Sequence, residues 1–314
     1  METVILKDET FLTERSCATI GFFDGVHRGH RFLIEQLRQL AWRRGERSMV
    51  VTFERHPRQV ICPEWQPQLL TSLDEKESLL AATGIDVMVV LRFDVAMSAL
   101  SARAFMDQIL KERLNVDALL AGYDNRFGHG RAEGFDDYVD YGQSIGIDVI
   151  GAEALMLQES AVSSTRIRRL ICEGRVGDAA ACLGRRYSLS GTVVHGEQVG
   201  RRLGFPTANI VPDDSQKLLP ADGVYAVEVW TDDGRRVAGV MNIGTRPTFN
   251  GHSRTLEVHL LDFSGDLYNR RLTVSFAARL RDECTFTSAE ALQQQMILDS
   301  SNAREILKRI DIYE

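Results

Sequence analysis

The chain has 314 residues, 44 % of them hydrophobic and 26 % charged, which predicts two globular domains and excludes disorder, collagen and coiled coil. Lys and Arg number 37 against 44 Asp and Glu, a net charge of −7 that speaks against bulk attraction to nucleic acid or anionic lipid. No apolar stretch approaches the roughly twenty residues of a membrane span. The start, METVILKDETFLTER, lacks the apolar core of a secretion signal. The five cysteines (Cys17, Cys62, Cys172, Cys182 and Cys284) are odd in number, scattered and never spaced C-x-x-C, so the expectation is a reduced, cytoplasmic protein without a disulfide framework or zinc site.

In chain order, CATIGFF reads as a strand. After the glycine-rich GVHRGH comes a helix with Phe32, Leu33, Leu37, Leu40 and Ala41 at helical spacing, stopping near Gly45. MVVTF is a buried strand. TSLDEKESLLAATG opens with Ser72-x-x-Glu75, the form of a capping box, and leads to the strand VMVVLRF. Helix and strand recur over 101–121 and 135–150. This alternation predicts a parallel sheet covered on both faces, a doubly wound α/β domain. A helical connector, RIRRLICEGRVGDAAACLG, follows. Past about residue 186 the runs YSLSGTVVHG, VYAVEVWTDDGRRVAGVMNIG, TLEVHLLDF and LTVSFAARL succeed one another with no helix between them. They predict an antiparallel β-barrel or sandwich, closed by an amphipathic helix from about Ser288 to Arg309. The domains are therefore placed at 1–184 and 185–314.

Gly21 through His30 fall between the first strand and its helix, the end of a parallel sheet where ligands bind. Gly25 and Gly29 permit tight turning and close backbone approach, and the helix N-terminus favours an anion. His27 and His30, three apart, can address one phosphate. Two histidines with no Cys or third His nearby make a poor zinc site. On spacing alone, Ser163-Ser164-Thr165 followed by Arg168 fits either an ordinary N-cap with a basic solvated face or a phosphate site. In the β domain, Gly196, Gly200 and Gly204 lead into Phe205-Pro206-Thr207-Ala208-Asn209. Thr207 and Asn209, two apart, project from one face of an extended segment and could share Mg²⁺, or could simply hydrogen-bond a turn. In TLEVHLL, Leu256, Val258 and Leu260 lie on one face and Glu257 and His259 on the other, where an acidic residue is either solvated or functional.

The string GFFDGVHRGH resembles the H-x-G-H signature of the nucleotidyltransferase superfamily, in the G-x-F-D-G-x-H-x-G-H form of bacterial bifunctional riboflavin kinase/FAD synthetases. GRRLGFPTAN resembles the segment around PTAN in riboflavin kinases, and SSTRIR, TFERHPRQV, GYDNRFGHGRAEG, NIGTRPTFNG and LLDFSGDLYNRRL match further family segments. The sequence departs from many relatives at Arg55, where proline is common, and at Phe22, where Asn or Val is common. The resemblance implies a Rossmann-like nucleotidyltransferase domain followed by a kinase barrel. It implies nucleotide contacts at Gly21, Phe22, Phe23, Gly25, Gly29, Ser163, Ser164, Thr165 and Arg168, with His27 and His30 catalytic. Flavin contacts are implied at His56, Pro57 and Asn125. In the barrel, Gly200, Gly204, Thr207 and Asn209 would hold nucleotide, Thr207 and Asn209 also Mg²⁺, and Glu257 would be the general base. ATP is then co-substrate for converting riboflavin to FMN and FMN to FAD. Two other readings stand beside this one. One is a nucleotidyltransferase for another acceptor with a non-catalytic β module, against which PTAN argues. The other is an RNA-binding regulator using the basic connector, against which the overall acidity argues. Neither nucleic acid nor membrane is expected as a partner, and a weak homo-oligomer is left open.

Overall fold

Strands that must be covered on both faces are apolar throughout, and this accounts for the centre of the first unit. The structure is a computed structural model describing every residue except 63, 123–125, 132, 158–159, 197–199, 201–203, 249–250 and 312–314. It divides into two units, Met1–Ser164 and Thr165–Glu314. The first contains β1 (Glu2–Ile5), β2 (Ser16–Ile20), β3 (Arg47–Phe53), β4 (Val87–Leu91), β5 (Val116–Ala121) and β6 (Asp148–Gly151), all parallel in the order β1-β4-β3-β2-β5-β6. Every residue of β2 and β4 is buried. Alternate side chains divide between two cores: Ala18, Met49, Val51 and Val89 point to one face, and Cys17, Val50, Met88 and Val90 to the other.

Around the sheet lie α1 (Arg28–Arg44), α2 (Pro57–Ile61), α3 (Leu73–Ala81), α4 (Val95–Ser98), α5 (Ala102–Phe105) and α6 (Phe135–Ile145). α1 buries Ile34, Leu37 and Ala41, and ends where Gly45 turns left-handed and donates to the Ala41 and Trp42 carbonyls. The predicted capping box of α3 is present, Ser72 and Glu75 each accepting from the other's backbone N–H. α5 passes into a π-helical stretch, Met106–Lys111, where the sequence pattern predicts continuous α-helix. Strand order reverses at β2, between β3 and β5, so the loops leaving these strands gather at the switch point of the sheet. A short hairpin, β7 (Met156–Leu157) with β8 (Ser160–Ala161), precedes α7 (Ser164–Cys172), which begins at the division between units.

The second unit continues with α8 (Val176–Leu183) and the strands β9 (Ser188–Val194), β10 (Ala208–Pro212), β11 (Gly223–Thr231), β12 (Arg236–Thr248), β13 (Gly251–Leu260) and β14 (Arg271–Arg281). They close as an antiparallel barrel in the order β10-β13-β12-β11-β14-β9, which leaves no unpaired edge. α9 (Ala289–Asp311) packs on the barrel's outer face, where Ala303 meets Ala226 and Leu261. The division falls upstream of the 184/185 boundary drawn from composition. The reason is packing: the connector's Ile171 carbonyl accepts from Ala221 N–H, and α8 lies against β14. Among the described residues no helix is long and apolar enough to cross a membrane.

Candidate active sites

Between β2 and α1 the backbone takes an unusual path, with positive φ at Phe23 (53°), Gly25 (83°) and Val26 (35°). Such strain persists only where the surroundings fix it. Here Asp24, 3 % exposed, is the anchor: its carboxylate accepts from the N–H groups of Leu70 at 2.9 Å and Thr71 at 3.0 Å, while Thr71 Oγ1 accepts from Gly25 N–H at 3.0 Å. The Ser164 hydroxyl donates to the Asp24 carbonyl at 2.9 Å. The loop is thereby fixed at the head of α1, where a helix N-terminus favours an anion.

His27 caps α1, its Nδ1 accepting from His30 N–H at 3.2 Å, and the two imidazoles stack with centroids 3.6 Å apart. A Cβ at Gly29 would stand 3.2 Å from the His27 ring and from the Val162 carbonyl, so a larger residue there needs those neighbours to shift. Burial, together with His27 and Lys76, holds the His30 imidazole well below its ordinary value near 6.5, so it is neutral. Its Nδ1 is buried without a hydrogen-bond partner. A neutral ring with an unsatisfied nitrogen, in the first turn of a helix, is equipped to donate an N–H to a phosphate oxygen.

Beside this loop the carboxyl ends of β2, β3 and β4 border a cavity of about 670 Å³, lined by Gly21, Phe22, Phe53, His56, Pro57 and Phe127 among others. Its aromatic walls suit a flat conjugated ring. His56 caps α2 through Arg58 N–H at 3.1 Å and meets the Phe22 ring edge-on, centroids 4.7 Å apart. Asn125 lies outside the described residues. Ser163 and Ser164 belong to the first unit, while Thr165 and Arg168 continue α7 and are counted with the second.

In the barrel, Leu256, Val258 and Leu260 are buried, so Glu257 faces outward. Register places Asn209 of β10 opposite it on one side and Asn242 of β12 on the other. Glu257 lines a cavity of about 260 Å³ with Gly200, Thr207, Asn242, Arg281 and Asp299, and accepts from the Thr207 hydroxyl at 3.4 Å. Thr207 also lines a second cavity of about 680 Å³, with Val193, Pro206, Leu267 and Tyr268. It is therefore shared by the two cavities. His259, which sequence spacing leaves without a role, bonds through Nδ1 to the Pro206 carbonyl at 2.8 Å and so pins the segment carrying Thr207. Gly200 accepts Phe205 N–H at 2.9 Å, closing the turn that contains Gly204. Arg281 forks onto Asp299 at 2.8 to 3.2 Å, tying β14 to α9 across the smaller cavity.

Asp24, Thr71, Lys76, Asn242 and the Arg281–Asp299 pair join these sites without a signal in motif spacing: Asp24 stands inside the glycine-rich string, and the others are brought in by strand register or by packing.

Residues 10–166 match the FAD synthetase family model and residues 183–307 the riboflavin kinase model. The chain is 39 % identical over 287 residues to the bifunctional riboflavin kinase/FMN adenylyltransferase of Escherichia coli strain K12, covering 91 % of each. It is 42 % identical over 294 residues to the protein of that name from Pseudomonas fluorescens, covering 93 % of each. A crystal structure titled macrolide-efflux protein, from Streptococcus pneumoniae, is similar with a TM-score of 0.89 and 30 % identity, over 97 % of this chain and 99 % of that one. That title differs from the names of the curated relatives, with which both family models agree.

Proposed function

This chain belongs to the bifunctional riboflavin kinase/FMN adenylyltransferase family, and from that premise we propose that the barrel unit phosphorylates riboflavin to FMN and the α/β unit adenylylates FMN to FAD. The observation that carries the division of labour is the position of Thr207 and Glu257, hydrogen-bonded to each other where two cavities meet. One cavity takes the alcohol and the other the ATP, so the acceptor hydroxyl reaches the γ-phosphate beside Glu257, which removes its proton. The Thr207 hydroxyl and Asn209 amide are hard oxygen donors next to that carboxylate. They suit Mg²⁺, which prefers hard oxygen ligands with phosphate and water completing its shell. When bound, Mg²⁺ neutralises phosphate charge there.

In the α/β unit the flavin ring sits in the aromatic cavity against Phe22, His56 and Pro57. The phosphates lie over the head of α1 with Gly25, Gly29, Ser163 and Ser164. His27 and His30 orient the α-phosphate and stabilise the charge that develops on it as the FMN phosphate attacks and pyrophosphate leaves. Incubation of the pure protein with riboflavin, ATP and Mg²⁺, followed by chromatography of the flavins, is the test. Both FMN and FAD are expected; FMN alone would support the kinase and remove the adenylyltransferase.

A further inference from the structure

Lys76 belongs to none of the motifs above, yet it is only 2 % exposed. Its Nζ donates to the Phe22 carbonyl at 3.0 Å, the Thr52 hydroxyl at 3.2 Å and the Phe53 carbonyl at 3.3 Å, which engages all three ammonium protons. The same nitrogen lies 4.2 Å from the centroid of the Phe22 ring, within cation–π range. Phe22 and Phe53 both line the aromatic cavity. One buried cation thus joins the loop after β2 to the end of β3 and sits behind the ring that forms the cavity wall. A methionine would fill the same volume without the cost of desolvating a charge. What an apolar side chain could not do is fix two carbonyls, a hydroxyl and an aromatic ring at once.

We propose that Lys76 is a positioning residue for adenylyl transfer: it fixes Phe22 as the wall against which the flavin ring of FMN is seated. The inference rests on adenylyl transfer being housed in the first unit. Asp24 faces Lys76 from the loop and His30 faces it from α1, while β3 brings the Thr52 hydroxyl and the Phe53 carbonyl. Burial lowers the Lys76 ammonium to about 8, with Asp24 opposing the shift. Above that pH a neutral amine has two protons for three acceptors and no cation–π attraction. The wall then loosens while the phosphate loop remains anchored by Asp24.

The test uses the full chain with Lys76→Met. The KM for FMN is expected to rise roughly tenfold or more, as for loss of a charged hydrogen-bonding group, with the KM for ATP and the riboflavin kinase rate little changed. In the unmodified protein, kcat/KM for FMN should fall as pH rises through about 8, and Lys76→Met should lack that limb. Should Lys76→Met fail to fold, Phe22→Leu, which keeps the ammonium and removes the ring, must reproduce the rise in KM for FMN. A folded Lys76→Met with unchanged KM and an unchanged alkaline limb overturns this inference alone, as does a Phe22→Leu protein with unchanged KM. No FAD from FMN with the unmodified chain overturns it together with the reading on which it rests.

Discussion

The Ser164 hydroxyl and the Asp24 carbonyl are joined at 2.9 Å across 140 residues of sequence. Two motifs that look independent along the chain are therefore parts of one brace. The loop after β2 is held from one side by its own carboxylate on Leu70 and Thr71, and from the other by the head of α7.

Ser164→Ala removes that second hold at a cost of about 1 kcal/mol. FAD formation from FMN should fall several-fold while riboflavin phosphorylation is untouched. Asp24→Asn is expected to do more, because an amide nitrogen facing two N–H donors leaves buried groups unpaired, at about 1–3 kcal/mol. Initial rates of the two reactions, with a urea melt of each variant, check both; an Asp24→Asn protein as stable and active as the original would contradict the brace.

His30 gives a prediction in pH as well as in rate. Its folded value is held below the ordinary 6.5, so as pH drops below 6.5 the unfolded chain takes up a proton that the folded chain refuses. Stability of the first unit should decline in that window, by up to about 1.4 kcal/mol per pH unit. His30→Ala should flatten the decline and also slow FAD formation by about 10²–10³, with FMN accumulating. Unfolding curves above and below pH 6.5 and a flavin chromatogram measure the two effects. A slope unchanged by the mutation would mean that the buried imidazole is not the source.

Much of this was legible beforehand because the two motif strings are local. GFFDGVHRGH and GFPTAN each occupy a single loop, and the switch from α/β alternation to successive strands separates the sheet from the barrel. What was hidden depends on long-range packing. The strand β1 lies at the sheet edge beside β4, and its four residues, ETVI, carry no uninterrupted apolar run. Lys76 stands in a helix whose capping box is plain, but a lysine there reads as solvated until the fold buries it. Asn242 joins Glu257 only through the register of β12 with β13. His259 gains its role from a carbonyl far upstream. The connector looks like a linker by composition, and its apolar residues settle it against the barrel.

That packing predicts how the chain can be cut. α7 and α8 bury Ile167, Leu170, Ile171, Val176, Ala179 and Leu183. A fragment starting at Thr165 should fold and phosphorylate riboflavin. One starting at Arg185 loses these side chains and should melt at least about 5 °C lower, since each kcal/mol shifts a domain of this size by roughly 2–4 °C and burial of several apolar side chains contributes more than one such unit. Equal melting temperatures would return the boundary to the place that composition indicates.

Glu257 carries the most specific prediction. Its neighbours are fixed: Thr207 donates to it, Asn209 and Asn242 stand opposite on the adjoining strands, and the flanking leucine and valine hold the strand in the barrel wall. Glu257→Gln preserves shape and a hydrogen-bonding oxygen for Thr207 but removes the proton acceptor. Riboflavin phosphorylation should then fall by roughly 10²–10⁴, the range for loss of a general base, with little change in ATP binding to the barrel unit. Supplying FMN directly should bypass the defect, because adenylyl transfer uses the other unit, and FAD should form at the unmodified rate. Two initial rates on one protein therefore decide the matter. Parallel loss of both would point to misfolding or a shared site. An undiminished first rate would make Glu257 one more carboxylate on the outer face of a strand, and the acceptor hydroxyl would have to surrender its proton elsewhere.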